Sequence, residues 1–315
     1  RLSQEGVVFA LAVLLFAAFA VTLNNFLTTG NLIALVRSVS ILGILGLGMG
    51  LVVIGRGIDL AMVATMVVSL SWVLSMTQGG MPLGTALLFG LALALAIGLM
   101  NGILIAYADI PAIFTTLAMG LVAFLFQIDV QNTPAGIAWF DFLGQGSVFG
   151  LPMPIVAFAV LAALMALLLL RTRFGRFVYA AGDNALAARI TGIPLRPLIV
   201  AQYVVSALIA FLAGLVMAAA VSGMSTRLYN STMIYDVLLV VVLGGISLSG
   251  GRGGVRNILV GTLLVGVLLN GMTILDITYT TQNLIKSLIL LLAIMVDSFI
   301  NPRDEQTSQQ AQGDI

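Results

Sequence analysis

The sequence predicts an all-α polytopic membrane protein with about ten transmembrane helices, some of them interrupted, and with both termini in the cytoplasm. Three observations predict this class. First, 61% of the 315 residues are hydrophobic and 8% are charged, where about a quarter are charged in soluble domains, and the mean hydropathy is +1.17. Second, the apolar residues form runs of the length that spans a bilayer, about 20 residues. Third, the basic residues concentrate in alternate loops.

The spans are delimited by Gly, Pro, Asn and charged residues. The first run lacks a small-residue cleavage site and is interpreted as a retained helix; since Arg1 is not Met, we expect residues before it. Only Arg56, Gly57 and Asp59 separate the second and third runs, so one interrupted helix is the alternative there. The predicted spans are 7–23, 33–55, 58–77, 84–107, 111–128, 154–170, 198–221, 234–249, 256–271 and 283–300.

Basic residues set the predicted orientation. With both termini inside, ten of the thirteen Lys and Arg residues fall on the inner side, and Arg37, Arg227 and Lys286 fall on the outer side. This asymmetry places the termini in the cytoplasm. Residues 1–300 then form the transmembrane domain, and the Gln-rich residues 301–315 are predicted to be a disordered cytoplasmic tail. The outer loop 129–152 either caps the outer face or is a plain connector.

The polar interval 171–197 lies on the predicted cytoplasmic side. Asp183 or Asn184 is a suitable N-cap, the residues after it favour a helix, and Gly192 supplies a stop. One two-turn helix is therefore predicted, with an apolar ridge and a thin Ala face, and with Arg189 and Arg196 free for acidic partners. The ridge consists of Leu186, Ile190 and Ile193, and the thin face of Ala187 and Ala188. An amphipathic helix lying on the headgroups is the alternative.

Two strings carry a family resemblance. FGRFVYAAGDNALAARITGI, at 174–193, and SLSGGRGG, at 247–254, resemble strings of the permease subunits of bacterial ABC importers, in particular the ribose/sugar branch. The first is similar to the cytoplasmic coupling loop of that family. FLTTGNL, GIDL, NGILIAY, IPAIFTTLAMG and LLNG follow the family order along nearly the whole chain. The family usually reads GGIDLSVG where this chain reads GRGIDLAMVA, so the solute need not be ribose.

The resemblance implies a multi-pass protein of the bacterial inner membrane. It implies a second permease subunit, as a homo- or heterodimer, an ABC ATPase that carries ATP and Mg²⁺, and a periplasmic solute-binding protein. No cofactor is expected in this chain, and no nucleic acid. The implied ATPase-coupling residues are Asp183, Asn184, Ala187, Ala188, Arg189, Gly192 and Ile193. LSGG at 248–251 resembles an ATPase signature, but no phosphate-binding loop precedes the only lysine, Lys286, so the chain is not predicted to be an enzyme.

Polar residues within the spans are candidates for the substrate pathway, because charge at bilayer depth is costly. They are Asp59, Asn101, Gln127, Asp236 and Asn270. Each has a structural alternative: Asp59 caps the third span or pairs with Arg56, the two Asn residues join helices, and the others are solvated at the interface. His and Cys are absent, so no catalytic triad, catalytic residue or metal site is predicted.

The predicted function is ATP-driven import of a neutral sugar or polyol, since little charge is available to bind an ion. Permeases for nucleosides, branched-chain amino acids or autoinducer-type molecules are the alternatives within the superfamily. An ion-coupled secondary transporter would need a carboxylate relay, for which only Asp59 and Asp236 are candidates. An intramembrane aspartyl protease is disfavoured. Its YD and GxGD motifs resemble Tyr235-Asp236 and the string GRGID at 55–59, but these stand in the reverse order along the chain.

Overall fold

The computed structural model describes residues 4–126, 128, 130, 137–228 and 231–300. These residues form thirteen α-helices, a hairpin and a turn of 3-10 helix at Thr226–Leu228. The helices are α1 Gln4–Thr22, α2 Thr29–Ile54, α3 Met62–Gln78, α4 Leu83–Tyr107, α5 Ala112–Phe124, α6 Ala138–Gln145, α7 Met153–Arg171, α8 Arg173–Asp183, α9 Ala185–Ile190, α10 Leu195–Val221, α11 Met233–Leu243, α12 Val255–Ile274 and α13 Tyr279–Ile300. The antiparallel hairpin pairs β1 Ser147–Val148 with β2 Leu151–Pro152. The predicted all-α polytopic class is confirmed.

Each of the ten predicted apolar runs contains one apolar helix. Seven, namely α1, α2, α4, α7, α10, α12 and α13, are long and apolar enough to cross a membrane. The other three, α3, α5 and α11, have 17, 13 and 11 residues. At 1.5 Å per residue, α11 covers only about half of a hydrocarbon core of about 30 Å. The number of complete crossings and the side of the termini stay predictions.

Two boundaries differ from the prediction for a backbone reason. The helix predicted at 234–249 ends at Leu243, because Gly245 adopts a left-handed φ of 91° and the chain turns there. The helix predicted at 111–128 ends at Phe124. Between α2 and α3 the chain is irregular from 55 to 61. Because α2 alone is long enough to cross a membrane, α2 and α3 are not two halves of one interrupted span.

The predicted outer loop contains a helix that the sequence analysis missed. Gly144 of α6 lies so close to the backbone of Ala219 in α10 that a Cβ atom would collide with it. The hairpin follows α6 directly and leads into α7. Residues 129 and 131–136 of this loop, and the predicted tail 301–315, lie outside the described residues.

The core is centred on α2 and α10. In α2 every residue from Val39 to Ile54 is buried. Small residues let α4 and α10 approach closely, since a Cβ at Gly102 would lie 2.6 Å from the Cα of Val200. In contrast, α1 and α13 are buried over only 11% and 6% of their apolar windows. Both therefore lie at the edge of the bundle.

The two ends of the bundle differ in charge. We call the end where α2, α7 and α11 finish and α10 and α12 begin the basic end; it carries Arg56, Arg171, Arg173, Arg176, Arg189, Arg196, Arg252 and Arg256. The opposite end is where α2, α11 and α13 begin and α10 and α12 finish.

Candidate functional site

The segment 171–197 forms two helices, α8 and α9, at the basic end. The prediction of a single short helix was wrong, because Thr172 begins a further helix: its Oγ1 accepts a hydrogen bond from the Gly175 amide at 3.1 Å. Gly175, Val178 and Gly182 of α8 are buried, and their spacing of three and four residues puts them on one face. We call α8 and α9 together the coupling segment.

The capping of α9 is as predicted. Asn184 is the N-cap, and its Oδ1 accepts a hydrogen bond from the Ala187 amide at 2.9 Å. Gly192 ends the helix with a φ of 85°, a backbone conformation that glycine adopts without strain. The Ile193 amide then donates to the Ala188 carbonyl at 3.0 Å. These bonds fix both ends of a six-residue helix that would not be stable alone.

The exposed surface of α9 differs from the predicted one. Ala188 is only 4% exposed and packs against its own chain, whereas Ala187 is exposed, so the two alanines do not form one thin face. Leu186 and Ile190 project outward, Ile190 being 78% exposed, while Ile193 packs against the core. An apolar pair beside Ala187 is therefore what α9 presents.

The predicted free arginines are not free. Arg196 pairs with Asp109 at 3.8 Å, and its guanidinium carbon lies 5.6 Å from the centre of the Tyr107 ring. Arg189 also interacts within the chain. The prediction that Arg196 stays free for an acidic partner was wrong, because the end of α4 provides it with partners.

Arg56 joins the end of α2 to the coupling segment. Its Nε donates to the Gly182 carbonyl and its second terminal nitrogen donates to the Asp183 carbonyl, both at 2.7 Å. These carbonyls end α8, where the helix dipole favours a cation. Arg56 has a φ of 68°, a left-handed conformation that costs a non-glycine residue about 1–2 kcal/mol. The predicted pairing of Arg56 with Asp59 was wrong.

The glycine-rich loop 244–254 holds the other side of α8. The Tyr179 hydroxyl donates to the Gly253 carbonyl at 2.8 Å, and the Gly251 amide donates to the Ile54 carbonyl at 2.8 Å. Burial raises the pKa of the Tyr179 hydroxyl, so it keeps the proton that it donates. Left-handed φ angles at Gly250, Gly251 and Gly253 turn the chain here, a conformation that glycine adopts without strain.

We call this set of contacts the clasp: Arg56, Tyr179, Gly182, Asp183 and the backbone of Ile54, Gly251 and Gly253. It connects the coupling segment with the end of α2 and with the loop between α11 and α12. A Cβ at Gly182 would collide with the Ile54 carbonyl and lie 2.6 Å from the Gly251 nitrogen. Direct contacts therefore join α8 to both junctions.

Asp59 lies in the irregular segment that follows Arg56. It is only 3% exposed; its Oδ1 accepts from the Ala61 amide at 3.1 Å, and its Oδ2 accepts from the Ser206 hydroxyl of α10 at 2.7 Å. The Thr116 hydroxyl of α5 accepts from the Leu60 amide at 3.0 Å. The start of α3 is thus held against α5 and α10. The N-cap position of α3 is Ala61, and no side chain in the described part of the chain caps it, so Asp59 fixes the segment before the helix rather than its first turn.

The other pathway candidates do not meet in one place. Asn101 is buried in α4, and its Oδ1 lacks a hydrogen-bond partner within the described part of the chain. Asn270 exchanges hydrogen bonds with Asn31 of α2 at 2.8 and 3.0 Å. Asp236 lies at the opposite end, paired with Lys286. Gln127 lies outside the described residues.

The reciprocal Asn31–Asn270 pair gives a testable prediction. In a double-mutant cycle with Asn31→Ala and Asn270→Ala, we expect a coupling free energy of about 1 kcal/mol, since hydrogen bonds between membrane helices average about 0.6 kcal/mol each. Thermal unfolding in detergent measures it. A coupling free energy of zero would show that the two amides do not hold α2 and α12 together.

Sequence reasoning missed the partners of the candidates rather than the candidates themselves. Ser206, Thr116 and Asn31 are ordinary polar residues in helices, and no sequence pattern marks them as partners. Lys286 had a signal, because it is the only lysine of the chain and stands in an apolar run.

A protein-family model matches most of the chain. The family model described as branched-chain amino acid transport system / permease component matches residues 31–296. The chain belongs to this permease family. The matched range of the permease family starts near the beginning of α2 and runs into α13, so it includes the coupling segment and every residue of the clasp.

Individual relatives of the permease family are similar over most of their length. The ribose import permease protein of Escherichia coli K12 is 30% identical over 296 residues, 91% of this chain and 92% of the relative. The fructose import permease protein of Rhizobium meliloti is 30% identical over 311 residues, which are 95% of this chain and 86% of the relative. The L-arabinose transport system permease protein of Escherichia coli K12 is 33% identical over 304 residues, which are 94% of this chain and 90% of the relative. No solved structure matches the chain significantly.

Proposed function

We propose that this chain is the membrane-spanning subunit of an ATP-driven importer for a neutral sugar or polyol, and that separate ATPase subunits dock on α9. One observation carries the proposal: α9 projects Leu186, Ala187 and Ile190 from the basic end, while α8 behind it is bound to two helix junctions. A surface that is exposed outside and rigidly connected inside suits the transmission of a partner's movement.

The solute class rests on the relatives. The three described above are named as permeases for ribose, fructose and L-arabinose. The family description names branched-chain amino acids instead, whereas each of these individual relatives is named for a sugar and aligns over most of its length. We therefore give the sugar assignment more weight and make leucine a control substrate in the tests below.

The remaining partners belong to the same proposal. The ATPase binds ATP and Mg²⁺, a periplasmic solute-binding protein delivers the sugar, and a second permease subunit completes the pathway. The protein lies in the inner membrane with both termini in the cytoplasm. The positive-inside rule then places the basic end in the cytoplasm, where it faces the ATPase.

Substitution of one exposed alanine tests the docking. Ala187→Arg puts a large charged side chain on the surface of α9 without entering the core, and Ala188→Arg is unsuitable because Ala188 is buried. We expect the amount of co-purified ATPase to fall about tenfold, which corresponds to about 1.4 kcal/mol of binding free energy. Quantitative mass spectrometry of the purified complex measures it.

The matched control is Ala108→Arg, since Ala108 is an exposed alanine at the same end but outside the coupling segment. It should leave the amount of ATPase unchanged. Wild-type amounts of ATPase with Ala187→Arg would refute docking on α9. Uptake that survives ATP depletion but stops with an uncoupler would instead establish an ion-coupled carrier.

A further inference from the structure

A cavity of about 330 Å³ lies at the opposite end of the bundle, far from the clasp. It is bounded by α2, α10, α11, α12 and α13. One wall is apolar, with Ile41, Leu42 and Met217 among its residues, and the other is polar, with Thr232, Asp236, Tyr279, Gln282 and Lys286. Its volume is in the range of small-molecule sites, about 300–1,000 Å³.

The polar wall contains a buried ion pair. The Lys286 Nζ lies 2.8 Å from the Asp236 Oδ1 and donates to the Thr232 hydroxyl at 2.7 Å. Lys286 is only 5% exposed. A buried ion pair is no more stable than well-packed apolar side chains of similar volume, because both charges lose their hydration. Ionisable groups at such places in membrane proteins are typical of solute pathways.

The chemistry of the pair selects a class of ligand. The pair has no net charge, so it attracts neither anions nor cations strongly. The ammonium group has three N–H donors, of which the described contacts use two, and the carboxylate has further lone pairs. A hydroxyl group both donates and accepts, so it can bind to either partner without breaking the pair. The apolar wall suits the C–H face of a sugar ring.

We propose that this cavity binds a neutral polyhydroxylated solute, and that the Asp236–Lys286 pair is its hydrogen-bonding group. This assignment rests on the proposed function, because an importer needs a solute-binding site at the end opposite its ATPase. Each charge of the pair is already balanced by the other, so an amino acid finds no unpaired counter-ion here, and leucine serves as the control ligand.

The absence of cysteine permits a direct test. Ser38 lines the cavity and is exposed, so Ser38→Cys places one thiol at the site in a chain with no other. The assembled transporter is reacted with a membrane-impermeant thiol reagent, with and without D-ribose, D-fructose or L-arabinose. At ten times the dissociation constant, we expect one of these sugars to slow the labelling about tenfold, because only the empty site reacts.

The matched control is Asn24→Cys, an exposed position that does not line the cavity and precedes α2. Its labelling rate should not change with sugar. Labelling of Ser38→Cys that no sugar slows would overturn the proposal, and so would protection by leucine. ATPase co-purification and uptake are measured on the same preparation. If these persist while protection fails, the site is refuted and the proposed function stands.

A second pair of substitutions separates binding from structure. Replacing both charged residues, Asp236→Leu with Lys286→Met, removes the pair but keeps apolar packing. We expect the melting temperature to change little and the sugar protection of Ser38→Cys to disappear. Should this variant fail to fold, the exchange of charges, Asp236→Lys with Lys286→Asp, takes its place; it keeps an ion pair, so protection by the sugar should persist in it. Unchanged protection in the apolar variant, or lost protection in a folded charge exchange, would show that the pair is not the hydrogen-bonding group.

Discussion

Gly182→Ala is expected to abolish ATP-driven uptake and to destabilise the chain. The new Cβ would collide with the Ile54 carbonyl and press on the Gly251 amide, which are themselves joined by a hydrogen bond of 2.8 Å. Both are backbone groups, so neither can move as a flexible side chain would. Overpacking of this kind costs about 1–3 kcal/mol. The added methyl group must therefore push α8 away from α2.

Two measurements check this expectation. The melting temperature in detergent should fall by about 5 °C, since 1 kcal/mol corresponds to about 2–4 °C in a domain of 150–250 residues. Proteoliposomes that contain the full complex should lose uptake of whichever labelled sugar the wild type transports, among D-ribose, D-fructose and L-arabinose. The matched control is Gly84→Ala in α4, where a Cβ would meet nothing within 4 Å; alanine is the better helix former there, so stability should hold or rise. Wild-type uptake and stability with Gly182→Ala would contradict the described contact.

Arg56→Gly is expected to uncouple the transporter while leaving it assembled. The substitution removes the hydrogen bonds to the Gly182 and Asp183 carbonyls, and it also removes the strain of a left-handed arginine, about 1–2 kcal/mol. Because these two guanidinium bonds, one part-buried and one exposed, contribute a similar amount, the two effects nearly cancel in stability. The effect on transport does not cancel, since the link between α8 and α2 is lost.

The expected result is about a tenfold fall in the uptake rate, equivalent to a rise of about 1.4 kcal/mol in activation free energy, with normal ATPase co-purification. Arg56→Lys provides the graded comparison: it keeps the charge but lacks the planar fork that binds two carbonyls, so its uptake should be intermediate. If Arg56→Gly transports at the wild-type rate, the guanidinium does not transmit movement, and Tyr179 with the loop 244–254 carries the connection alone.

The helical class and most helix positions could be predicted because they depend on local properties. Runs of apolar residues determine the spans, and the cap at Asn184 and the stop at Gly192 depend on one or two neighbouring residues. The predictions failed where long-range contacts decide. Helix α8 is stable because Gly175 fits against the end of α7 and Gly182 fits against Ile54 and Gly251. In the sequence, its charged residues are typical of a loop between spans.

The candidate site shows the same division. Asp59 could be selected because an acid is rare in an apolar run, but its partner Ser206 is 147 positions away in the chain. Arg56 was assigned to Asp59 on the ground of spacing, whereas its real partners are backbone carbonyls. Carbonyl groups have no residue identity, so a sequence pattern cannot indicate them.

The backbone acceptors of the clasp and the side-chain surface of α9 respond differently to mutation. The groups that receive hydrogen bonds from Arg56 and Tyr179 belong to the main chain, whereas the surface offered by α9 consists of side chains such as Leu186 and Ile190. In the proposed importer, substitutions on α9 would change the surface that meets the ATPase without changing these internal contacts. The choice of partner and the transmission of its movement would then depend on different, neighbouring groups.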